Sequence, residues 1–264
     1  VTTAALHLVN RKYYQRRVTH GASRPATTSE TQSGCTMNAH LLDRPIWHAL
    51  RTRQARFALG DDRALRFHAD VEPFAASRDD SPDSIAALGA LVPPGDLIVL
   101  LQAGESPCPP GLIVESTALG VQMVLDTLAQ PSASAPIEAL GDADTEEMIA
   151  LAALTKPGPF LARTHELGSF WGVKENGRLI AMAGERMMLE GYTEVSGVCT
   201  HPDYRGRGLA ALLSHHVAAE ILARGEIPML HAYASNRAAI SVYEALGFVL
   251  RRHVVVTILR RPAA

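Results

Sequence analysis

The sequence predicts an α/β protein of the mixed α+β kind: a mostly antiparallel sheet flanked by helices, preceded by a smaller α/β domain. Three observations carry that expectation. From residue 137 onward, strand-like and helix-like apolar patterns succeed one another in the order β-α-β-β-β-α-β-α-β. An Asn176-Gly177 pair between two strand-like runs marks a tight hairpin. The stretch AQPSASAP, residues 129–136, replaces periodic structure with small residues and two prolines, which divides the chain at a linker over 131–136.

The domain before the linker, 37–130, opens with PIWHALRTRQARFAL (45–59), whose Ile46, Leu50 and Phe57 fall near one helical face. Ser81 and Pro82 supply the N-cap and first turn of a short helix ending near Leu91. Strands are expected at 65–71, 97–101, 112–116 and 121–125. Glu115 and His68 are lone polar residues there and are read as structural or solvent-facing. In the domain after the linker, 137–264, strands are expected at 137–140, 170–173, 178–189 and 193–200. A helix is expected over 144–155 with acids in its first turn. A second runs from about Gly208 to Arg224 and is stopped by Gly225, with Leu209, Leu212, Leu213, Val217 and Ile221 toward the sheet. A strand at 229–234, a helix at 237–246 stopped by Gly247 and a last strand at 248–259 complete the order.

Composition sets the outer limits. The 264 residues are 47% hydrophobic with a formal net charge of −2, so a large core is available and nothing in the balance points to nucleic acid or an anionic membrane. No apolar run approaches the roughly 18 residues of a membrane span. Cys35, Cys108 and Cys199 are odd in number and far apart, which argues against a disulfide framework or a thiolate zinc site and fits a reducing cytoplasm. Residues 1–36 carry five basic side chains against the single acid Glu30. That composition resembles a transit peptide, but the preferred expectation is a largely disordered extension ahead of a domain that starts at Met37.

The stretch HPDYRGRGLAALL (201–213) holds the strongest chemical signal. Glycines at 206 and 208 let a ligand approach the backbone, the first helical turn offers N–H groups without acceptors, and Arg205 and Arg207 add positive charge. An anion is the natural occupant. The spacing is neither that of a nucleoside triphosphate loop nor that of a dinucleotide fingerprint, and an ordinary Gly-Arg-Gly tight turn has the same pattern.

VCTHPDYRGRGLA followed by NRAAISVYEALGF resembles the GNAT superfamily of acyl-CoA-dependent N-acyltransferases. Its R/Q-x-x-G-x-G/A signature is met at Arg205-Gly206-Arg207-Gly208-Leu209-Ala210, and N-x-x-A-x-x-x-Y-x-x-x-G-F by Asn236, Ala239, Tyr243, Gly247 and Phe248. The resemblance covers about residues 137–260, and the layout of the first half is similar to the degenerate N-terminal domain of a glycine N-acyltransferase-like subgroup. It implies that residues 205–210 cradle the pyrophosphate of coenzyme A. It further implies that the pantetheine arm runs along the strand through Val198, Cys199 and Thr200, and that Asn236 bonds the arm. Asn236 as a plain N-cap is equally compatible.

The resemblance also implies acetyl-CoA as co-substrate and direct attack by an amine; no metal is expected, on the placement of the histidines. Glu194, four residues before Val198, is then the candidate general base, sharing a strand face with Ser196, Val198 and Thr200 by alternation. Tyr243 is the candidate general acid. A surface carboxylate and a half-buried core tyrosine are the plain structural readings of the same two residues. Cys199 is expected on the opposite face as a structural thiol. His215 and His216 are neighbours that cannot share a helical face, so with His201 and His231 they make a poor metal site. The expected partner is a small-molecule or peptide amine acceptor, with neither nucleic acid nor membrane, and the expected assembly is a monomer or homodimer. The rival reading is a catalytically silent module that binds or senses acyl-CoA.

Overall fold

Two sheets carry the chain, which a computed structural model describes over residues 40–263. The expectations for 1–36 and for a start at Met37 lie outside those residues. A three-stranded antiparallel sheet is formed by β1 (Ala58–Gly60), β2 (Ala64–Phe67) and β3 (Ala75–Ser77). The other strands are β4 (Leu97–Gln102), β5 (Ile113–Leu125), β6 (Glu138–Leu140), β7 (Phe170–Glu175), β8 (Arg178–Leu189), β9 (Tyr192–Thr200), β10 (Ile227–Tyr233) and β11 (Phe248–Arg260). They form one eight-stranded sheet in the order β4-β11-β5-β10-β9-β8-β7-β6. Every neighbouring pair in it is antiparallel except β9 with β10. The helices are α1 (Pro45–Arg51), α2 (Pro82–Ala90), α3 (Thr145–Thr155), α4 (Leu209–Ala223) and α5 (Arg237–Ala245).

The second half follows its expected order. Asn176 and Gly177 both have positive φ, 53° and 76°, as the two central residues of a primed turn require, and β7 pairs with β8 across them. Gly225, φ 77°, follows the last turn of α4. Ser81 caps α2 by accepting from the Ser84 N–H, and Pro82 stands at its first position.

The first half departs from expectation in three ways. Only β1, β2 and β3 form a sheet of their own: β4 and β5 belong to the large sheet, with β5 inserted between β10 and β11, so strands from both sides of the 131–136 segment share one sheet. Residues 41–264 accordingly group as one compact unit. The two short strands expected at 112–116 and 121–125 are one 13-residue strand, because β11 offers a partner of equal length along its whole course. The long helix expected from Pro45 ends at Arg51, since Gln54 is drawn into the core. Its Nε2 donates to the carbonyls of Arg186 and Leu167, and its Oε1 accepts from the Met188 N–H of β8. Buried polar satisfaction outweighs helical periodicity there.

Apolar contacts explain how the layers hold. On one face of the large sheet Leu209, Leu213, Val217 and Ile221 of α4 and Ile240 and Tyr243 of α5 pack with Val121, Met123, Val195 and Leu230. Each fully buried aliphatic side chain of this kind contributes roughly 1.5–3 kcal/mol. Ile46, Leu50, Phe67 and Phe74 from the first half form another cluster with Met187, Leu189, Met229 and Val254. α3 packs through Met148, Leu151 and Ala152 on Phe170, Met182 and Cys199. Among the described residues no helix is long and apolar enough to cross a membrane.

Candidate active site

β9 and β10 pair in parallel only from Tyr192↔Ile227 to Glu194↔Met229. Beyond that point β10 continues its ladder with β5 alone, from Met229↔Val124 to Tyr233↔Gly120. The two strands therefore part, and the edge of β9 from Val195 to Thr200 is released from β10. An extended amide-bearing ligand finds unpaired backbone donors and acceptors along such an edge.

Two bulges shape the strands at this opening. In the β8–β9 ladder Met182 faces Cys199 and Gly184 faces Ser196, so Gly197 and Val198 together oppose the single residue Ala183. Gly197 takes φ 63°, and a Cβ on it would stand 3.0 Å from the Phe170 ring. This extra residue reverses the expected alternation. Val195 and Val198, three residues apart, both pack toward the α4 side, while Cys199 packs with Phe170 and Met182. Glu194 and Val198 thus do not share a face, and Cys199 is not on the face opposite Glu194 that strict alternation assigned to it. Burial raises the Cys199 thiol to about 11, against hydrogen bonds to Thr155 and to the Met182 backbone, which keeps it a protonated core residue. The second bulge sets Arg186 and Met187 of β8 against Glu194.

Between β9 and α4 the predicted turn has the form that anion binding needs. Gly206 and Gly208 adopt φ of 79° and 76°, which side chains other than glycine's take with strain. The first helical hydrogen bond is from the Leu212 N–H to the Gly208 carbonyl, so the N–H groups of Leu209, Ala210 and Ala211 precede the ladder and have no helical acceptor. Arg205 is exposed; Arg207 pairs with Glu175 at 3.0 Å and lies over the Tyr204 ring. At the end of β10, Asn236 caps α5 by accepting from the Ala239 N–H at 3.2 Å, so the plain structural role holds and the amide nitrogen is left for other use.

Glu194 is fully buried and saturated. Arg186 grips it with Nε and Nη2, each at 2.9 Å; the Met187 N–H donates at 3.3 Å and His231 Nδ1 lies at 2.8 Å. The proton on His231 can be placed from its neighbours. Gln122 Oε1 accepts from Arg251 at 2.8 Å and its Nε2 donates to the Leu42 carbonyl at 2.8 Å, partners that cannot exchange roles. Gln122 Nε2 therefore also donates to His231 Nε2 at 2.9 Å, and the imidazole is the neutral tautomer that donates from Nδ1 to Glu194. Burial alone pushes the Glu194 carboxyl up. The charge and hydrogen bonds of Arg186, with the bond from His231, outweigh it and hold the group well below the usual carboxylate range. A carboxylate so placed is a weak proton acceptor, and its geometry is that of an anchor for Arg186 and not of the free base expected.

Tyr243 belongs to the cluster that contains Leu209 of the turn and Val195 of β9, with Val198 packed against it. Its phenol is pushed up to about 12, by burial before any other cause. Transfer of its proton to a thiolate whose conjugate acid has a pKa near 8.5 is uphill, so the phenol suits hydrogen-bond donation to sulfur better than full protonation. Sequence reasoning missed Arg186, Gln122 and Glu72. Nothing in the local pattern marks them: a bulge in β8 sets Arg186 against Glu194, cross-strand pairing sets Gln122 against His231, and Glu72 comes from the loop between β2 and β3. No group of three or more His, Cys, Asp or Glu suited to a metal occurs among the described residues.

The comparisons with known proteins agree with this geometry. A family model described as FR47-like protein matches residues 171–256. A GNAT-family protein from Novosphingobium aromaticivorans, known by crystal structure, is 44% identical over 85% of this chain and 100% of that one, with a TM-score of 0.79. A GCN5-related N-acetyltransferase from Kribbella flavida shares the fold, with a TM-score of 0.57 at 17% identity over 85% of this chain and 95% of that one. The ribosomal protein bS18-alanine N-acetyltransferase of Escherichia coli K12 is 37% identical over 75 residues, 28% of this chain and 50% of that protein. The chain spans about half the length of the curated relatives it matches. With a parted β9–β10 pair, an amide-lined turn at its mouth and a full-length relative of known family, the chain belongs to the GNAT family.

Proposed function

We propose that the protein is an N-acetyltransferase that moves the acetyl group of acetyl-CoA to an amine by direct attack. The single observation that carries this is the pairing of the parted strand edge with the turn that follows it. The orphan N–H groups of Leu209, Ala210 and Ala211 suit a pyrophosphate, and the released backbone of Val198, Cys199 and Thr200 suits the two amides of a pantetheine arm. Arg205 and the part of Arg207 not engaged by Glu175 add charge at the mouth. Asn236 offers its amide nitrogen to the arm while its oxygen caps α5.

Bound acetyl-CoA would supply the thioester. A backbone N–H near Val198, at the bulge on the parted edge, would stabilise the oxygen of its carbonyl as the amine attacks. Tyr243 donates a hydrogen bond to the sulfur as charge moves there. The acceptor is an amine of a small molecule or a peptide, since the loops that would choose it are those between α3 and β7 and between β8 and β9.

One observation favours the silent acyl-CoA-binding module instead: Glu194, expected as the base, is occupied by four donors. Free-thiol release from acetyl-CoA separates the two readings when it is run against an N-terminally free alanyl peptide, spermidine, glycine and lysine. Amine-dependent release supports the transferase; tight coenzyme A binding with no release from any amine supports the module.

A further inference from the structure

Glu72 lies in the loop between β2 and β3 and is 1% exposed. Neither of its carboxylate oxygens has a hydrogen-bond partner among the described residues. A buried carboxyl without a donor is costly when ionised, and such orphans concentrate where a ligand supplies the missing partner. The charged groups that face it are Arg186 from β8 and Glu194 from β9, with Tyr233 of β10 acting on the same Arg186. Two carboxyls thus lie within electrostatic reach of one guanidinium, which is bonded to Glu194 alone, and have opposite environments. Glu194 has all its acceptor sites filled, and Glu72 has none filled. Pairs of this kind divide acid–base roles between them.

Geometry also ties Glu72 to the parted strands. The segment 156–168 reaches the β9 bulge, where Phe160 stands 4.0 Å from the position a Gly197 Cβ would take and meets Phe170 edge-on at 5.5 Å. The same segment is bonded to the Glu72 loop: the Arg163 N–H donates to the Asp70 carbonyl at 3.0 Å and Thr164 Oγ1 to the Val71 carbonyl at 2.7 Å. Arg186 Nη1, which Glu194 does not use, points at Gly158 of this segment, 3.8 Å from its Cβ position. Segment 156–168 thus joins the β9 bulge to the loop that carries Glu72, and an amine held beneath it would meet that loop.

We propose that Glu72 takes the proton from the acceptor ammonium, an assignment that rests on the transferase reading above. The ionised carboxylate accepts one proton from R–NH3+, which leaves R–NH2 with its lone pair free. The C–N bond then forms as the C–S bond breaks. The nitrogen gives up a second proton, equal to the one the thiolate gains, and Glu72 returns its own proton to solvent. The ammonium supplies the donors that both oxygens lack. Because those oxygens are covered in the free protein, one water or a displacement of segment 156–168 closes the remaining gap. Burial first, and the Glu194 charge after it, raise the carboxyl to about 8 against the pull of Arg186, close to the pH at which a base is most effective.

The test is Glu72→Gln in the full chain, assayed with acetyl-CoA and the amine panel across pH. The expected result is kcat/KM lowered by about 100-fold or more, loss of the acid limb centred near pH 8, and unchanged coenzyme A affinity by calorimetry. A folded variant with wild-type kcat/KM and the same limb overturns the assignment. Should the variant not fold, the wild-type profile decides: a limb that stays fixed for amines of different pKa supports Glu72, and one that follows the pKa of each amine overturns it. No thiol release from any amine with the wild type overturns the transferase reading itself, and Glu72 as base with it.

Discussion

Replacing Glu194 by glutamine removes a charge from a site where every donor expects an acceptor. Both oxygens receive N–H groups, Oε1 from Arg186 and His231 and Oε2 from Arg186 and Met187. An amide has one oxygen, so its NH2 must face at least one donor pair whichever way it turns. Arg186 is left buried without its counter-ion. Breaking one partner of a buried pair costs about 3–5 kcal/mol. For a fold of this size each kcal/mol lowers Tm by about 2–4 °C, so the expected fall is about 6–20 °C at pH 7. The sign of the pH dependence follows from the depressed carboxyl. Its contribution is full above the unfolded value near 4.5 and is lost as pH falls below it toward the folded value, so wild type and variant should converge in acid. Thermal unfolding of both proteins from pH 7 down to pH 3 reads this out. Kinetics below the variant's Tm should keep an acid limb, moved to lower pH because the Glu194 charge no longer raises Glu72 against the pull of Arg186. A variant that melts with the wild type at pH 7, or that folds but loses the limb, refutes the anchor role.

Other outcomes follow from the same geometry. Tyr243→Phe keeps the ring in its cluster and deletes the donor, so folding and coenzyme A affinity should persist while kcat falls by on the order of 100-fold; undiminished kcat with chemistry rate-limiting removes the phenol from the reaction. Gly206→Val meets no neighbouring atom within 4 Å of its Cβ but must hold φ near 79°, so it should cost about 1–2 kcal/mol of stability and weaken coenzyme A binding tenfold or more by calorimetry. With Gln122 Nε2 donating to His231 Nε2 and Glu194 accepting from Nδ1, nitrogen NMR of the wild-type imidazole should show a single Nδ1–H tautomer; an Nε2–H signal contradicts the tautomer drawn from the network.

Legibility in the sequence followed the range of the interactions involved. The helix stops at Gly225 and Gly247, the Asn176-Gly177 hairpin and the turn at 205–210 are local backbone events, and their residues sit next to one another in the chain. The strand that parts from its neighbour was legible only through the family resemblance, since no property of Val198 or Thr200 marks it. What was missed depends on pairing over long separations. β5 lies between β10 and β11 because, from the far side of the 131–136 segment, it matches β11 along its whole length, a match that leaves no signature in either strand alone. The Gly197 bulge reads as one more residue of an alternating strand, so the face assigned to Val198 and Cys199 was inverted. Glu194 looked like a free carboxylate because its partners, Arg186 and His231, come from the strands on either side of it.

Amide hydrogen exchange of the full chain with and without coenzyme A, alongside calorimetric titration, tests most directly whether the turn and the released strand edge form an acyl-CoA site. The account predicts saturable binding with new protection confined to the backbone of residues 195–200 and 206–211, strongest at Leu209, Ala210 and Ala211, where the free protein offers N–H groups with no helical acceptor. Absence of binding heat, or binding that protects other segments and leaves both of these exchanging as in the free protein, would contradict it.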